Sequence, residues 1–334
     1  MDRRWTMIND GDEPKIVVIG GGTGLSILLR GLKLYTSNIT AIVTVADDGG
    51  SSGVLREDLG MLPPGDIRDC LIALANMEPK LKKLFQYRFD EGILKGQNFG
   101  NLFIAAMNGI HGSFEMAIKE TSNVLAITGK VLPMTLDKVK ISAELENGML
   151  IKGESLIPRM ALKQKSPIKR VYIDPVNSKP LEDGIQAIRE ADIIILGPGS
   201  LYTSIIPNLL VNHVSQELYD SKAKKIYISN IMTQPGETDN YTISEHVQAL
   251  LDHSMEGILD YIIVNTESIP EELKEEYILE DSIPVVLRKN DIEFLQEKNI
   301  QIIEEELFYL YDDYIRHDYI TLSEIIMDIF HRNS

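Results

Sequence analysis

The chain has 334 residues, 44% of them hydrophobic and 25% charged, with 24 Gly and 14 Pro. That composition excludes collagen-like, low-complexity and wholly disordered chains. A chain of this length buries roughly 75% of its unfolded surface, so it needs no disulfide or metal staple. One cysteine, Cys70, excludes an internal disulfide and a cysteine-cluster metal site. The net charge of −17 repels nucleic acid and anionic membrane surfaces over ~10 Å, so neither is an expected partner. Phosphate still binds locally, at helix N-termini and loop N–H groups.

Residues 1–14 read as a mobile tail without the features of a signal peptide. No apolar run reaches the roughly 20 residues of a membrane span. A cytoplasmic chain is the expectation. The first strand is predicted over 15–19, running into Gly20-Gly-Gly-Thr-Gly24 and a helix over 25–34 carried by Leu25, Leu28, Leu29 and Leu32. A second strand over 39–45 opens into Asp47-Asp-Gly-Gly-Ser-Ser-Gly53. Strand, glycine loop, helix, strand predicts a right-handed βαβ unit of a buried parallel sheet. Asp66 is placed to cap a helix over 67–75. Helices are predicted at 81–85, 102–110 and 114–125.

The period then changes. Val139, Ile141, Ala143 and Leu145 alternate with polar residues before the hairpin signal Asn147-Gly148. A small antiparallel β insert is expected near 135–170, with 163–169 as an exposed connection. The α/β rhythm resumes at Val171, with a helix at 185–191, strands at 192–196, 226–229 and 261–264, and helices at 244–252 and 322–330. The acidic stretches 271–281 and 304–306 read as solvated faces. One α/β domain over 15–334 is expected, a Rossmann-like three-layer αβα fold with a mainly parallel sheet.

Four loops, at 20–24, 47–53, 197–203 and 230–238, each follow a predicted strand. In an open parallel sheet such loops gather at one edge, where ligands bind. Gly21, Gly22 and Gly24 let the backbone approach a diphosphate, and Thr23 offers a hydroxyl. The third glycine of a dinucleotide fingerprint is replaced by Leu25, which makes NAD the weaker ligand. Asp47 is placed to accept from ribose hydroxyls, and Asp48 to hold Mg²⁺ beside a diphosphate. Ser51 and Ser52 are small donors. Asp66 and Asn101 are either helix caps or ligand contacts. Gly197, Gly199 and Ser200, with Thr203, suit an anion, while Asn230, Thr233 and Gln234 suit the edges of a base or sugar. Walker A and G-x-S-x-G motifs do not occur, and the six histidines lack metal spacing. No catalytic residue is assigned.

These motifs, with Pro64-Gly-Asp-Ile-Arg68, Pro207-Asn208 and Met232-Thr-Gln-Pro-Gly-Glu-Thr238, closely resemble the gluconeogenesis-factor family, the YvcK-type branch of the CofD-like proteins. The resemblance runs from Lys15 to about Phe330. It implies a cytoplasmic bacterial protein that binds UDP-sugars, notably UDP-N-acetylglucosamine. It also implies roles in growth on gluconeogenic carbon, in cell shape and in peptidoglycan precursor supply, with signalling to the glucosamine 6-phosphate synthase. Carried over by position, the contacts are Gly22, Thr23, Gly24, Asp47 and Asn230, and Arg316 looks like the family's C-terminal ligand arginine. Gln97 stands where the family often has His, and Asp69 where Asn is common. The alternative, similar to the CofD branch, is a transferase moving a phospholactyl-type group from a nucleotide diphosphate with Mg²⁺ at Asp47 or Asp48. Whether the chain forms a homo-oligomer stays open at this level.

Overall fold

The computed structural model describes residues 13–332, apart from Glu78, Asp312 and Asp313. The tail expected over 1–14 otherwise lies outside the described residues. Glu13 and Pro14 are already anchored. The Glu13 carboxylate accepts from Ser37 N (3.0 Å) and Oγ (2.9 Å), and the Pro14 carbonyl accepts from Thr36 Oγ1.

The strands are β1 (Ile16–Gly20), β2 (Ile39–Val43), β3 (Lys130–Pro133), β4 (Lys140–Leu145), β5 (Leu150–Lys152), β6 (Ile168–Asp174), β7 (Ile193–Leu196), β8 (Lys224–Ile228), β9 (Tyr261–Asn265), β10 (Gln301–Glu305), β11 (Phe308–Tyr311) and β12 (Tyr314–His317). The first helices are α1 (Gly22–Leu32), α2 (Gly50–Leu59), α3 (Gly65–Leu74), α4 (Pro79–Gln86), α5 (Phe99–His111), α6 (Phe114–Leu125) and α7 (Ile157–Gln164). The rest are α8 (Glu182–Glu190), α9 (Ile206–Leu209), α10 (Val214–Asp220), α11 (Ile243–Asp252), α12 (Glu271–Leu279), α13 (Lys289–Glu297) and α14 (Tyr319–His331).

Seven strands form one sheet in the order β10-β9-β8-β7-β1-β2-β3. Every neighbouring pair in it is parallel. The reason is visible in β1 and β7, whose apolar residues are buried along their whole length. A strand that is apolar on both faces needs helices on both sides, and parallel crossovers supply them. Along the chain, β1 to β3 step outward in one direction and β7 to β10 in the other. The order therefore reverses between β1 and β7, where a crevice opens beyond the strand ends.

The insert is the three-stranded antiparallel sheet β5-β4-β6. It extends to Asp174, beyond the expected 170, because Ile168, Val171 and Ile173 bury one face of a strand. The expected connection at 163–169 is the end of α7 and the start of β6. The hairpin β11–β12 has no counterpart in the sequence expectation. No helix among the described residues is long and apolar enough to cross a membrane.

Helix α1 packs between α3 and α14. At Gly31 the approach of α14 is so close that an added Cβ would lie 2.3 Å from both Ser323 Oγ and the Tyr319 carbonyl. Gly31→Ala raises helix propensity yet overpacks this contact, so it costs about 1–3 kcal/mol net. Calorimetry should show a Tm lower by several degrees, and an unchanged Tm would mean that α14 moves aside freely.

Candidate functional site

The crevice beyond β1 and β7 is a cavity of about 370 Å³. Gly21–Gly24 and Pro198–Ser200 line it from the two central strands, and Asn230–Pro235 form a wall after β8. Tyr277, Glu280 and Ser282 close it beside α12, with Ile315, Arg316 and His317 from β12. Of the expected positions, Gly21, Gly22, Thr23, Gly24, Gly199, Ser200, Asn230, Thr233, Gln234 and Arg316 come together here. Gly197 turns the chain out of β7 with φ +83° and is not on the lining.

The floor is built by backbone contact. A Cβ on Gly24 would lie 2.7 Å from the Pro198 carbonyl, and Gly22 sits at φ +72°, where side chains are strained. The N-cap of α1, Gly21, supplies no side-chain cap, and the first turn holds no acid. Gly22 to Gly24 of this first turn line the cleft, and although Asp66 takes the Gly22 N–H from below, the helix dipole there suits an anion. The wall is an amide chain. Asn230 Nδ2 donates to Gln234 Oε1 at 3.3 Å, and Gln234 Nε2 donates to Ser200 Oγ at 2.8 Å. Asn230 Oδ1 is buried without a hydrogen-bond partner, an unmet acceptor on the cleft wall. Thr233 serves differently. Its hydroxyl accepts from Ile283 N at 2.9 Å and its carbonyl from Ser282 Oγ, tying the wall to the strap at 282–283.

Arg316 is the cation of the lining. Its Nη1 donates to the Ile315 carbonyl, and its guanidinium lies over the Tyr314 ring, 5.1 Å from the centroid. Neighbouring His317 is buried and donates from Nε2 to the Ser229 carbonyl. Burial pushes its pKa down to about 4, so it stays neutral. Tyr277 Oη accepts from Ile315 N at 2.8 Å, within a small apolar cluster of Ile231, Met232, Ile269 and Ile315. Sequence reading missed Tyr277, Glu280 and Ser282, because an acidic helix after a distant strand carries no ligand motif.

The fourth expected loop, at 47–53, lies across β1 from the cleft and shortens to Asp47–Gly49 before α2 begins. Asp47 accepts from Gly49 N at 2.8 Å, closing a turn. Both Asp48 oxygens accept backbone N–H groups, from Glu154 at 3.0 Å and Ser155 at 2.9 Å. Ser51 bonds Gln97 and Asn98 N, and Ser52 accepts from Gly65 N. Asn101 is not the cap of α5, a role held by Asn98, and it accepts from Arg68 Nη1 at 2.8 Å. These side chains are committed to joining α2, α3 and α5. Asp66 does not cap α3 either; the N-cap is Pro64. It reaches back to the Gly22 N–H beneath the cleft floor. The two bonds hold the Asp48 carboxylate toward the insert backbone, and Asp48 is not on the cleft lining. Among the described residues no three His, Cys, Asp or Glu side chains converge as a metal site.

Two further acids complete the region. Glu154 of the insert is pushed up to about 8 by burial and then by Asp47, Glu237, Asp48 and Asp66. Glu237 is pushed up to about 7 by burial, though Thr203 Oγ1 and Tyr202 N donate to its carboxylate. That pairing takes Thr203 away from any ligand. Asp66 is raised to about 7, by burial first and then by Asp47. Unfolded carboxyls titrate near 4. The folded chain therefore binds more protons up to about pH 8, and stability falls as pH rises through that window. His317, His246 and His253, all held below the ordinary histidine value, act in the opposite sense but only below about pH 6.5. The Tm should therefore drop between pH 6.5 and 8.5, and Glu154→Gln should flatten the drop and raise Tm at the alkaline end. A Tm that is level or rising over that interval in the wild-type chain would rule out protonated buried acids here.

A family model described as 2-phospho-L-lactate transferase CofD matches residues 16–308. The gluconeogenesis factor of Bacillus subtilis (strain 168) is 49% identical over 320 residues, covering 96% of this chain and 99% of its own. A relative from Thermoanaerobacterium thermosulfurigenes is 60% identical over 316 residues, 95% of this chain and 97% of its own. A crystal structure of a Bacillus halodurans protein, 47% identical, matches with a TM-score of 0.90 over 95% of this chain and 100% of that one. With the parallel sheet, the reversal at β1 and β7 and the glycine floor in place, the chain belongs to the CofD family and, within it, to the gluconeogenesis factors.

Proposed function

We propose that the chain is a cytoplasmic nucleotide-sugar sensor that binds a UDP-sugar, UDP-N-acetylglucosamine foremost, in the β1–β7 cleft. The bound state signals to a partner enzyme of peptidoglycan precursor supply, the glucosamine 6-phosphate synthase, and so supports cell shape on gluconeogenic carbon. The observation that carries this reading is the presence of two anion-binding elements on the lining of one cavity. The first turn of α1, whose Gly22 N–H is taken from below by Asp66, and the Arg316 guanidinium both line that cavity. A diphosphate spans such a pair. The Asn230–Gln234–Ser200 chain, with its unmet Asn230 acceptor, suits the donor and acceptor edges of a base or sugar. Binding acts on a partner only if it favours one conformation over another.

The transferase alternative routes Mg²⁺ through Asp47 or Asp48. Asp48 is turned toward the insert backbone, and neither residue is on the cleft lining. A nicotinamide dinucleotide reading depends on Asp47 beside the ribose and meets the same difficulty.

Titration calorimetry with UDP-N-acetylglucosamine, UDP-glucose, GDP and NAD, each with and without Mg²⁺, tests the proposal. The expected result is selective UDP-sugar binding, independent of Mg²⁺, with the ligand recovered intact. At ~100 times its Kd the ligand should add about 2.7 kcal/mol of stability. Arg316→Ala should weaken binding about tenfold or more, ~1.4 kcal/mol, with Thr23→Ala acting in the same direction and Asp48→Asn leaving affinity unchanged. Preference for GDP or NAD, or Mg²⁺-dependent consumption of the ligand, would refute the sensor.

A further inference from the structure

We propose that the β10 edge of the seven-stranded sheet, which pairs with no further strand among the described residues, forms with the cavity beside it a docking groove for an extended, basic segment of a partner protein. β10 ends the sheet, with β9 as its strand neighbour. Gln301, Glu304 and Glu305 are exposed, and Ile302 and Ile303 partly so. A parallel edge strand presents backbone N–H and C=O groups outward, the template on which a further strand can add.

Beyond the ends of β9 and β10 lies a second cavity, of about 430 Å³. Ile231, Ile269, Ile283, Pro284, Val285 and Leu287 give it an apolar lining, and Val286 on the same lining is 54% exposed. Its polar residues are two acids, one lysine and the uncharged Asn265, Thr266 and Ser268. Glu267 and Glu304 line it, Glu305 and Glu306 continue the run along the edge, and the lining's Lys274 is neutralised by Glu271 at 3.0 Å.

Glutamates on an edge strand repel the same edge of a second copy, which guards against self-pairing. The same field attracts a strand bearing Lys or Arg. Protection alone needs no apolar cavity at the strand end, and this cavity offers an apolar side chain of the incoming segment a place. The occupant is therefore a β-strand that alternates basic and apolar residues.

The groove shares a wall with the cleft. Ile231 lines both cavities, Ser282 lines the cleft, and Ile283 to Val285 line the groove. Thr233 N to the Ile283 carbonyl (2.8 Å) and Val285 N to the Ile231 carbonyl (2.9 Å) lock the two segments together. Any shift of the 230–235 wall on ligand binding passes directly to the groove. This coupling rests on the reading of the cleft as a UDP-sugar site; the docking itself does not.

The test is to pan a phage-displayed library of random peptides, about ten residues long, on the immobilised full chain. Enriched peptides should alternate Lys or Arg with apolar residues. Fluorescence anisotropy should show their affinity reduced about tenfold or more by Glu304→Lys with Glu305→Lys, and likewise by Val286→Asp. All three sites are exposed, and an unchanged Tm and unchanged UDP-N-acetylglucosamine affinity would confirm an intact fold. No enrichment, or peptides indifferent to both variants, overturns the docking groove. Self-association abolished by Val286→Asp without peptide enrichment overturns it too, assigning the patch to a second copy. Saturating UDP-N-acetylglucosamine should move peptide affinity by about threefold or more. If calorimetry shows the sugar bound and peptide affinity does not move, the coupling falls. If no UDP-sugar binds, the sensor reading falls and the groove stands or falls on the peptides.

Discussion

The close approach of the loops after β1 and β7 governs the arrangement around it. At Gly24 the backbone of α1 meets the Pro198 carbonyl at a distance no side chain permits, and a Cβ on Gly199 would lie 3.0 Å from the Gly21 carbonyl. These contacts set the N-terminus of α1 against the turn after β7, at the point where the sheet order reverses. Because both loops are held by backbone packing, the floor of the cleft exists without any ligand. The glycines are thus required twice, by the fold and by access to the helix N-terminus.

Charge is handled locally rather than globally. A chain of net charge −17 would be a poor host for a diphosphate if its cleft shared that field. Beneath the floor, burial raises Asp66 to about 7, and Glu154 and Glu237 are raised as well. Near neutral pH these acids carry less charge than their number suggests, while Arg316 lines the cavity. His317, held neutral by burial, adds a hydrogen bond to the wall instead of a second cation.

The walls are less deeply built than the floor. The β12 edge and the face of α12 meet through the small cluster of Ile231, Met232, Ile269 and Ile315, separate from the main core. Hydrogen bonds from Ser282 and Ile283 to Thr233 complete the attachment. An element secured by a handful of side chains opens at lower free energy than the central strands. The cleft thus combines a firmly held floor with a wall that is less firmly held.

Much of this was legible in the chain alone. Uninterrupted apolar runs such as 16–19 and 193–196, bounded by glycine loops, read as interior parallel strands, and the loops after them gather at one sheet edge, because both rules depend on local sequence. The motif-rich loops at 20–24, 197–203 and 230–238 and the hairpin turn at 147–148 followed in the same way. What each polar residue does there was not local. Asp48 and Asn101 had the composition of ligand contacts, but they accept from Ser155 N and Arg68, partners 107 and 33 residues away. Ser51 likewise bonds Gln97, 46 residues on. Glu154 carried no motif at all, yet it lies among acids contributed by three other segments. Sequence by itself determined the strands, their parallel packing and the edge on which the glycine loops gather, since hydrophobic periodicity and glycine placement act over a few residues. Only the tertiary structure decided which donors and acceptors remain open at that edge, since hydrogen bonds and desolvation depend on neighbours that the folded chain alone brings together.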